Sequence, residues 1–382
     1  MGRSDRGPKS EIVSWGTRAL QLGVLFVLLA ADLIVGCTAP GSTRPMVKIG
    51  LVAPFEGLYR HLGYDVLYAV KLAVRERNAA GGVSGYMVEL VALDDSNDPR
   101  QAPLQARKMI VDADIMGVIG HFSDDTALAA LDEYHRAGLA LITQVPANAV
   151  TKQGYPEVFR LFARNDLLGT EAARYAVEEL GARRIAVVRG RDDLADAFVQ
   201  TAEQLGATTV LDTEYAIRTT QYVSHFVSAV ETTSPDLIFF SGEAVEGAEF
   251  IAQVRRAGVM VAFMGGSGLD NPYYLRQIGG EAVRDILYIT AVPKIHVGDF
   301  VAGYQSLAGH LPGSQAIVAY DAARVLLEAL ARAIESRGGP SRDAVVAELG
   351  ALQGYPGLIG SIAFDSKGDL VKPRTYVYRV EL

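Results

Sequence analysis

From residue 47 onward, short runs rich in β-branched residues alternate with longer stretches whose apolar residues recur at helical spacing. That alternation narrows the fold more than any other feature. Strands are expected at 47–53, 87–93, 117–119 and 139–143, with helices between them at 67–77, 102–112 and 126–136. Strand–helix alternation with short turns predicts βαβ units and a parallel sheet covered on both faces. A second series follows, with strands at 184–188, 208–214, 237–240, 261–264 and 286–290 and helices at 167–179, 196–205, 224–232 and 247–257. Helical patterns at 315–336 and 341–349 and strand-like runs at 361–364 and 375–380 close the chain. Two α/β lobes in series, with a return to the start, is the simplest arrangement. Open α/β sheets bind ligands outside the carboxyl ends of their strands, so two such lobes enclose a ligand between those ends.

The first residues read as a targeting segment. Arg3, Arg6, Lys9 and Arg18 form a basic leader, and 22–31 is an uninterrupted apolar run. A run that short matches the core of a secretory signal peptide. The competing reading is an uncleaved anchor over 19–35. Asp32 counts against it, because a carboxylate inside a spanning helix costs about 2.5–3.5 kcal/mol. Ile34, Val35, Gly36 and Cys37 resemble a bacterial lipobox. The resemblance implies cleavage before Cys37, making 1–36 a lipoprotein signal peptide, and lipid on the Cys37 sulfur and amine. Several acyl chains hold a protein at a membrane where one gives marginal binding. Residues 37–45, rich in Pro, Gly, Ser and Thr, make a lipidated tether.

Cys37 is the only cysteine, so the folded body has no disulfide and no thiol chemistry. With a net charge of −8 the chain offers no footing for nucleic acid. The six histidines show no metal-ligand spacing, and neither H-E-x-x-H nor G-x-S-x-G occurs. The chain reads as a non-enzyme with no cofactor.

Five stretches, in order, resemble the leucine/isoleucine/valine-binding proteins of ABC importers. They are 48–54 (KIGLVAP); 78–82 (NAAGG) with Asp94, Asp95 and Asp98; 117–121 (GVIGH) with 138–142 (GLALI); Phe159 and Arg160 with Asn165, Asp166 and Gly169; and 357–360 (GLIG) with Phe364, Asp365, Gly368 and Asp369. The resemblance implies the type I periplasmic-binding fold: two doubly wound parallel-sheet lobes joined by three crossings, near Arg164, Val292 and Ile359. Lobe one is then 46–164 plus 293–359, and lobe two 165–292 plus 360–382. It also implies a monomer that takes a small-molecule solute and docks on an ABC permease in the membrane. A sensory receptor of the same fold is the alternative.

Carried over residue by residue, the resemblance loses most contacts specific to amino acids. The serine that receives a ligand carboxylate falls on Asp124, with Ser123 beside it. The backbone donor after the fourth strand falls on Pro146, which has no N–H, and the nearby threonine falls on Ala147. The lobe-two aspartate falls on Asn165 or Asp166, and the clamping tyrosine on Leu194. A second aromatic falls on Glu243, and the acid for the ligand ammonium on Ser267. A carboxylate at Asp124 about 4 Å from a ligand carboxylate is repelled by about 4 kcal/mol at an effective dielectric near 20. The mouth loops add Glu56 and Tyr59, together with Asp125, Asp192, Asp193 and Asp270, against Arg60, His61 and Arg191. This excess of acid predicts a cationic or neutral, hydroxyl- or amide-rich solute and poor binding of plain leucine or valine.

Overall fold

A computed structural model describes residues 1–2, 44–215, 220–280 and 282–380. The basic leader, Cys37 and the tether as far as Thr43 lie outside the described residues. Pro45–Leu382 forms one compact unit.

The first sheet has five strands: β1 (Met46–Ala53), β2 (Met87–Asp94), β3 (Ile115–Gly120), β4 (Ala140–Thr143) and β5 (Val158–Arg160). They run parallel in the order β2-β1-β3-β4-β5. Helices α1 (Arg60–Ala79), α2 (Ala102–Val111) and α3 (Asp124–Arg136), and the single turn α4 (Ala149–Lys152), connect them. Every residue of β3, β4 and β5 is buried. Their near-continuous apolar runs therefore reflect a sheet covered on both faces.

The chain then crosses to a second body. Helix α5 (Asn165–Arg174) runs into a π-helical turn at Tyr175–Glu179, where regular helix was expected. The second sheet contains β6 (Arg184–Arg189), β7 (Thr208–Glu214), β8 (Leu237–Phe240), β9 (Ala262–Gly265) and β10 (Ile286–Thr290). Its helices are α6 (Asp192–Gln204), α7 (Thr220–Thr233), α8 (Ala244–Arg256) and α9 (Pro272–Gln277). The return to the first body brings α10 (Asp299–Ala308), α11 (Ser314–Arg337) and α12 (Arg342–Gly350), then a short ribbon of β11 (Tyr355–Gly357) and β12 (Gly360–Ile362). Strand β13 (Tyr376–Arg379) goes back to the second sheet and pairs antiparallel with β10, giving the order β13-β10-β9-β8-β6-β7. Gly117 of β3 shows why α11 seats closely on the first sheet: a Cβ there would fall 2.5 Å from Leu326 Cδ1.

The first and third crossings are pinned by buried polar groups. Arg160, at the end of β5, is fully buried. Its Nε donates to Asp369 Oδ1 at 2.8 Å, and its Nη1 donates to the carbonyls of Pro146 at 2.9 Å and Ala147 at 2.6 Å. Its Nη2 donates to Thr151 Oγ1, which in turn donates to Asp369 at 2.9 Å. Arg160 N–H also donates to Gly368 O at 2.7 Å. One guanidinium thus ties the first crossing, the third crossing and the loop after β4 together. At the start of the third crossing, Asp321 of α11 accepts the Ile359 N–H at 2.9 Å. Among the described residues no helix is long and apolar enough to cross a membrane.

Removing one partner of a buried, hydrogen-bonded ion pair costs about 3–5 kcal/mol, because the other charge is left uncompensated. Arg160→Leu is expected to lower the unfolding free energy by about that much in urea titrations. Arg160→Leu combined with Asp369→Leu should recover part of the loss. A single-variant loss below about 1 kcal/mol, the scale of exposed pairs, would contradict the role given to this cluster.

Candidate ligand site

Loops leaving the carboxyl ends of parallel strands in both sheets line one cleft. The first sheet contributes Tyr59 after β1, Asn97 after β2, Phe122, Ser123 and Asp124 after β3, and Gln144, Val145 and Pro146 after β4. The second contributes Arg191 after β6, Glu243 and Val245 after β8, and Ser267, Asp270, Asn271 and Tyr274 after β9. Gln315, at the start of α11, also faces it. This is where open α/β sheets place their ligands.

Arg191 is the central charge. The Ser241 hydroxyl accepts the N–H groups of Gly190 at 2.9 Å and Arg191 at 3.0 Å, which sets the turn that presents the guanidinium. From there Arg191 Nη1 reaches across the cleft to Asp124 Oδ2 at 2.7 Å, and Nη2 meets Glu243 Oε1 at 3.0 Å. Burial opposes the charge on Arg191, but Glu243 and Asp124 outweigh it and hold the guanidinium above its usual range. Asp124 opens α3 just after its N-cap, Ser123, where a negative side chain is favoured by the helix dipole. Burial pushes its carboxyl up to about 6; Arg191 opposes the shift, while Glu243 and Asp193 add to it. The expected repulsion of a ligand carboxylate rested on an unpaired Asp124. The structure pairs that carboxylate with Arg191, so part of its charge is already answered.

Other contacts cross the cleft. Asp193 accepts the Asn148 N–H at 2.9 Å from the opposite wall, and the Asn165 side chain at 2.8 Å from its own side. At the mouth, Tyr274 donates to Leu58 O at 2.8 Å, and Asn271 Nδ2 lies 3.1 Å from His61 Nε2. The His61 ring stacks on Tyr273 with centroids 4.7 Å apart. Burial lowers the His61 pKa, which favours the neutral ring for this stacking. Asp270 carries a carboxyl raised by burial, against hydrogen bonds from Ser314, Thr290 and Tyr288. Gly268 allows the β9 loop to close on the β8 loop, since a Cβ there would sit 2.6 Å from Gly242 O. These contacts describe two lobes drawn together over the cleft.

Behind the cleft, His121 Nδ1 lies 2.6 Å from Asp95 Oδ2, and its Nε2 lies 3.2 Å from the Tyr134 hydroxyl. All three side chains are buried. Both ring nitrogens are occupied, so His121 braces the loop to Asp124 and is not offered to a ligand.

Of the candidates from sequence, Tyr59, Ser123, Asp124, Pro146, Glu243 and Ser267 line the cleft. Ser123 does so as a cap, its hydroxyl bonded to Thr126 Oγ1 at 2.8 Å. Glu56 is exposed and stands outside the lining. Ala147 lies behind the wall, with its N–H toward Asp124 and its carbonyl on Arg160. Asn165 is taken by Asp193, and Asp166 by Arg164 at 2.8 Å. Leu194 is core, packed so closely under Gly266 that a Cβ there would come 2.4 Å from its Cδ2. The polar lining residues that sequence reasoning missed include Asn97, Gln144, Asn271, Tyr274 and Gln315, none of which belongs to a motif.

The raised Asp124 pKa gives a signed prediction. Unfolded, its carboxyl titrates near the ordinary 3.8, and folded near 6. The folded chain therefore holds the extra proton between those values, and stability falls as pH rises through that window. Asp124→Asn removes the effect. Relative to the parent, the variant's unfolding free energy is expected to gain about 2.4 kcal/mol between pH 4 and pH 7. A difference that does not change with pH would contradict the assignment.

Comparison with known proteins agrees with this architecture. A family model described as periplasmic binding protein matches residues 46–381. An amino acid binding protein of Pseudomonas aeruginosa is 28% identical over 342 residues, covering 87% of this chain and 89% of its own. A Leu/Ile/Val-binding protein of Rhizobium johnstonii is 26% identical over 362 residues, covering 92% and 96%. The solved structure of a leucine binding protein from Thermotoga maritima has a TM-score of 0.77 at 27% identity, covering 88% of this chain and 96% of that one. The isoleucine-bound branched-chain amino acid transporter substrate binding protein of Streptococcus pneumoniae has the same fold, with a TM-score of 0.78 at 21% identity, covering 88% and 96%. With its two α/β bodies, three crossings and shared cleft, the chain belongs to the periplasmic binding protein family.

Proposed function

We propose that the chain is an extracytoplasmic receptor of an ABC importer, held at a membrane by lipid on Cys37, that closes its lobes on a small polar solute. The lobes are 46–164 plus 293–359 and 165–292 plus 360–382. The observation that carries this reading is the Asp124–Arg191–Glu243 bridge, in which a side chain anchored in one lobe holds a carboxylate of the other across the cleft. A solute touching both walls stabilises the closed arrangement by the difference in its affinity for the closed and open states. The three crossings take up the rotation as a hinge, and the closed form is what a permease would receive.

Relatives named for leucine, isoleucine and valine make an amino-acid-like solute the starting point. The cleft argues for a departure from them. Two carboxylates share one guanidinium at its centre, and Pro146 presents no N–H to a ligand carboxylate. A free anionic group has little to meet here, whereas a neutral or cationic polar solute does.

Thermal unfolding in the presence of aliphatic amino acids, polyamines, amides and sugars tests this. A solute at a hundred times its dissociation constant adds about 2.7 kcal/mol of stability. At least one neutral or cationic solute is expected to raise the melting temperature. A strong shift with leucine or valine would contradict the reading of the cleft, and no shift with any solute would contradict the receptor itself. Cys37→Ala should abolish incorporation of labelled fatty acid in a bacterial host; continued labelling refutes the anchor.

A further inference from the structure

Gln144 follows β4 directly and faces the cleft. Only 6% of its surface is exposed, yet neither Nε2 nor Oε1 meets a hydrogen-bonding partner among the described residues. Its surroundings make that unusual. The preceding Thr143 hydroxyl donates to His121 O at 3.1 Å and accepts the Val145 N–H at 3.3 Å. The Pro146 and Ala147 carbonyls are held by Arg160. The side chain therefore stands on a backbone braced from both sides, while the rest of the cleft's polar centre is satisfied internally: Asp124 and Glu243 by Arg191, Ser123 by Thr126.

Folded proteins leave few buried polar atoms unpaired, and the exceptions concentrate where a function uses them. A primary amide presents two N–H donors and one carbonyl acceptor in a single plane. A ligand carboxylate would satisfy the donors and set oxygen against oxygen at Oε1. An ammonium would satisfy Oε1 and leave the donors unmade. A carboxamide or a urea offers an N–H beside a C=O and answers both. Charge points the same way, because an anion would approach two carboxylates that already compete for one guanidinium.

We infer that Gln144 is the specificity-determining residue of the cleft and that the solute is an uncharged molecule bearing a carboxamide or urea group. This rests on the solute-receptor reading and names the class of solute.

The test is titration calorimetry on the full chain, purified in mild detergent, with acetamide, isobutyramide and urea set against isobutyrate and valine. The parent chain should bind at least one of the amides or urea, and isobutyrate at least about tenfold more weakly than isobutyramide, the range expected when a buried polar group is left unpaired. Gln144→Leu should weaken amide or urea binding about 10- to 100-fold. Its unliganded melting temperature should stay level or rise, because the unmade hydrogen bonds are gone. That last readout separates a ligand contact from a structural one. Tighter binding of valine or isobutyrate than of any amide or urea, or equal amide affinity in Gln144→Leu, would overturn the inference and leave the receptor reading intact. The amide-against-acid comparison needs no variant, so it holds even if Gln144→Leu folds poorly. Absence of binding by these probes, with no thermal shift across amino acids, polyamines and sugars, would bring down both.

Discussion

Arg160 sits wholly inside the protein, and it joins the segment around β4 and β5 to one more than 200 residues further along the chain. It bonds Asp369 in the third crossing, carries the end of β5 into the first, and holds the Pro146 and Ala147 carbonyls in the loop after β4. Burial works against this cation, and Asp369 opposes that penalty. The arrangement is costly to break and offers little latitude, which suits a pivot. It also links the hinge to the cleft mechanically. The loop that Arg160 grips carries Gln144 on its cleft side and sends the Ala147 N–H to Asp124. On the proposed hinge closure, the same loop would carry a rotation at the crossings to the wall a solute touches.

The electrostatics of the cleft follow from where its helices begin. Helices α3, α6 and α8 all start at its edge. In principle such N-termini attract an anionic ligand. Here the chain places its own acids there: Asp124 and Asp125 open α3, and Glu243 stands just before α8. Arg191, placed by Ser241, then joins two of those carboxylates from opposite walls. On the proposed reading, this arrangement turns the cleft away from a ligand carboxylate and toward uncharged polar groups.

Most of the fold was legible because strands buried on both faces are apolar almost throughout, as the fully buried β3, β4, β8 and β10 are. β5 was not, since three residues are too few to show a period. Helix α10 was missed as well, its pattern diluted by Gly303 within and Gly309 at its end. In the site, loop positions three or four residues past a strand could be carried over, and Asp124 and Glu243 came to line the cleft. Positions deeper into the following helix could not: Leu194 turned inward because α6 packs that face under Gly266. The partnership of Arg191 with Asp124 joins two different βα units, so no local pattern announces it. Gln144 had no signature at all. It stands out only once folding shows which polar atoms have been left without partners.

The central claim is that two lobes close on a solute around the crossings. Distances between spin labels on Leu104 and Met260, exposed positions of the first and second bodies, follow that motion directly in a Cys37→Ala background. Without solute the distribution should be broad. At saturation with a solute that raises the melting temperature, it should collapse to a single narrow population. A distribution unchanged by every such solute would contradict closure as the way this protein binds.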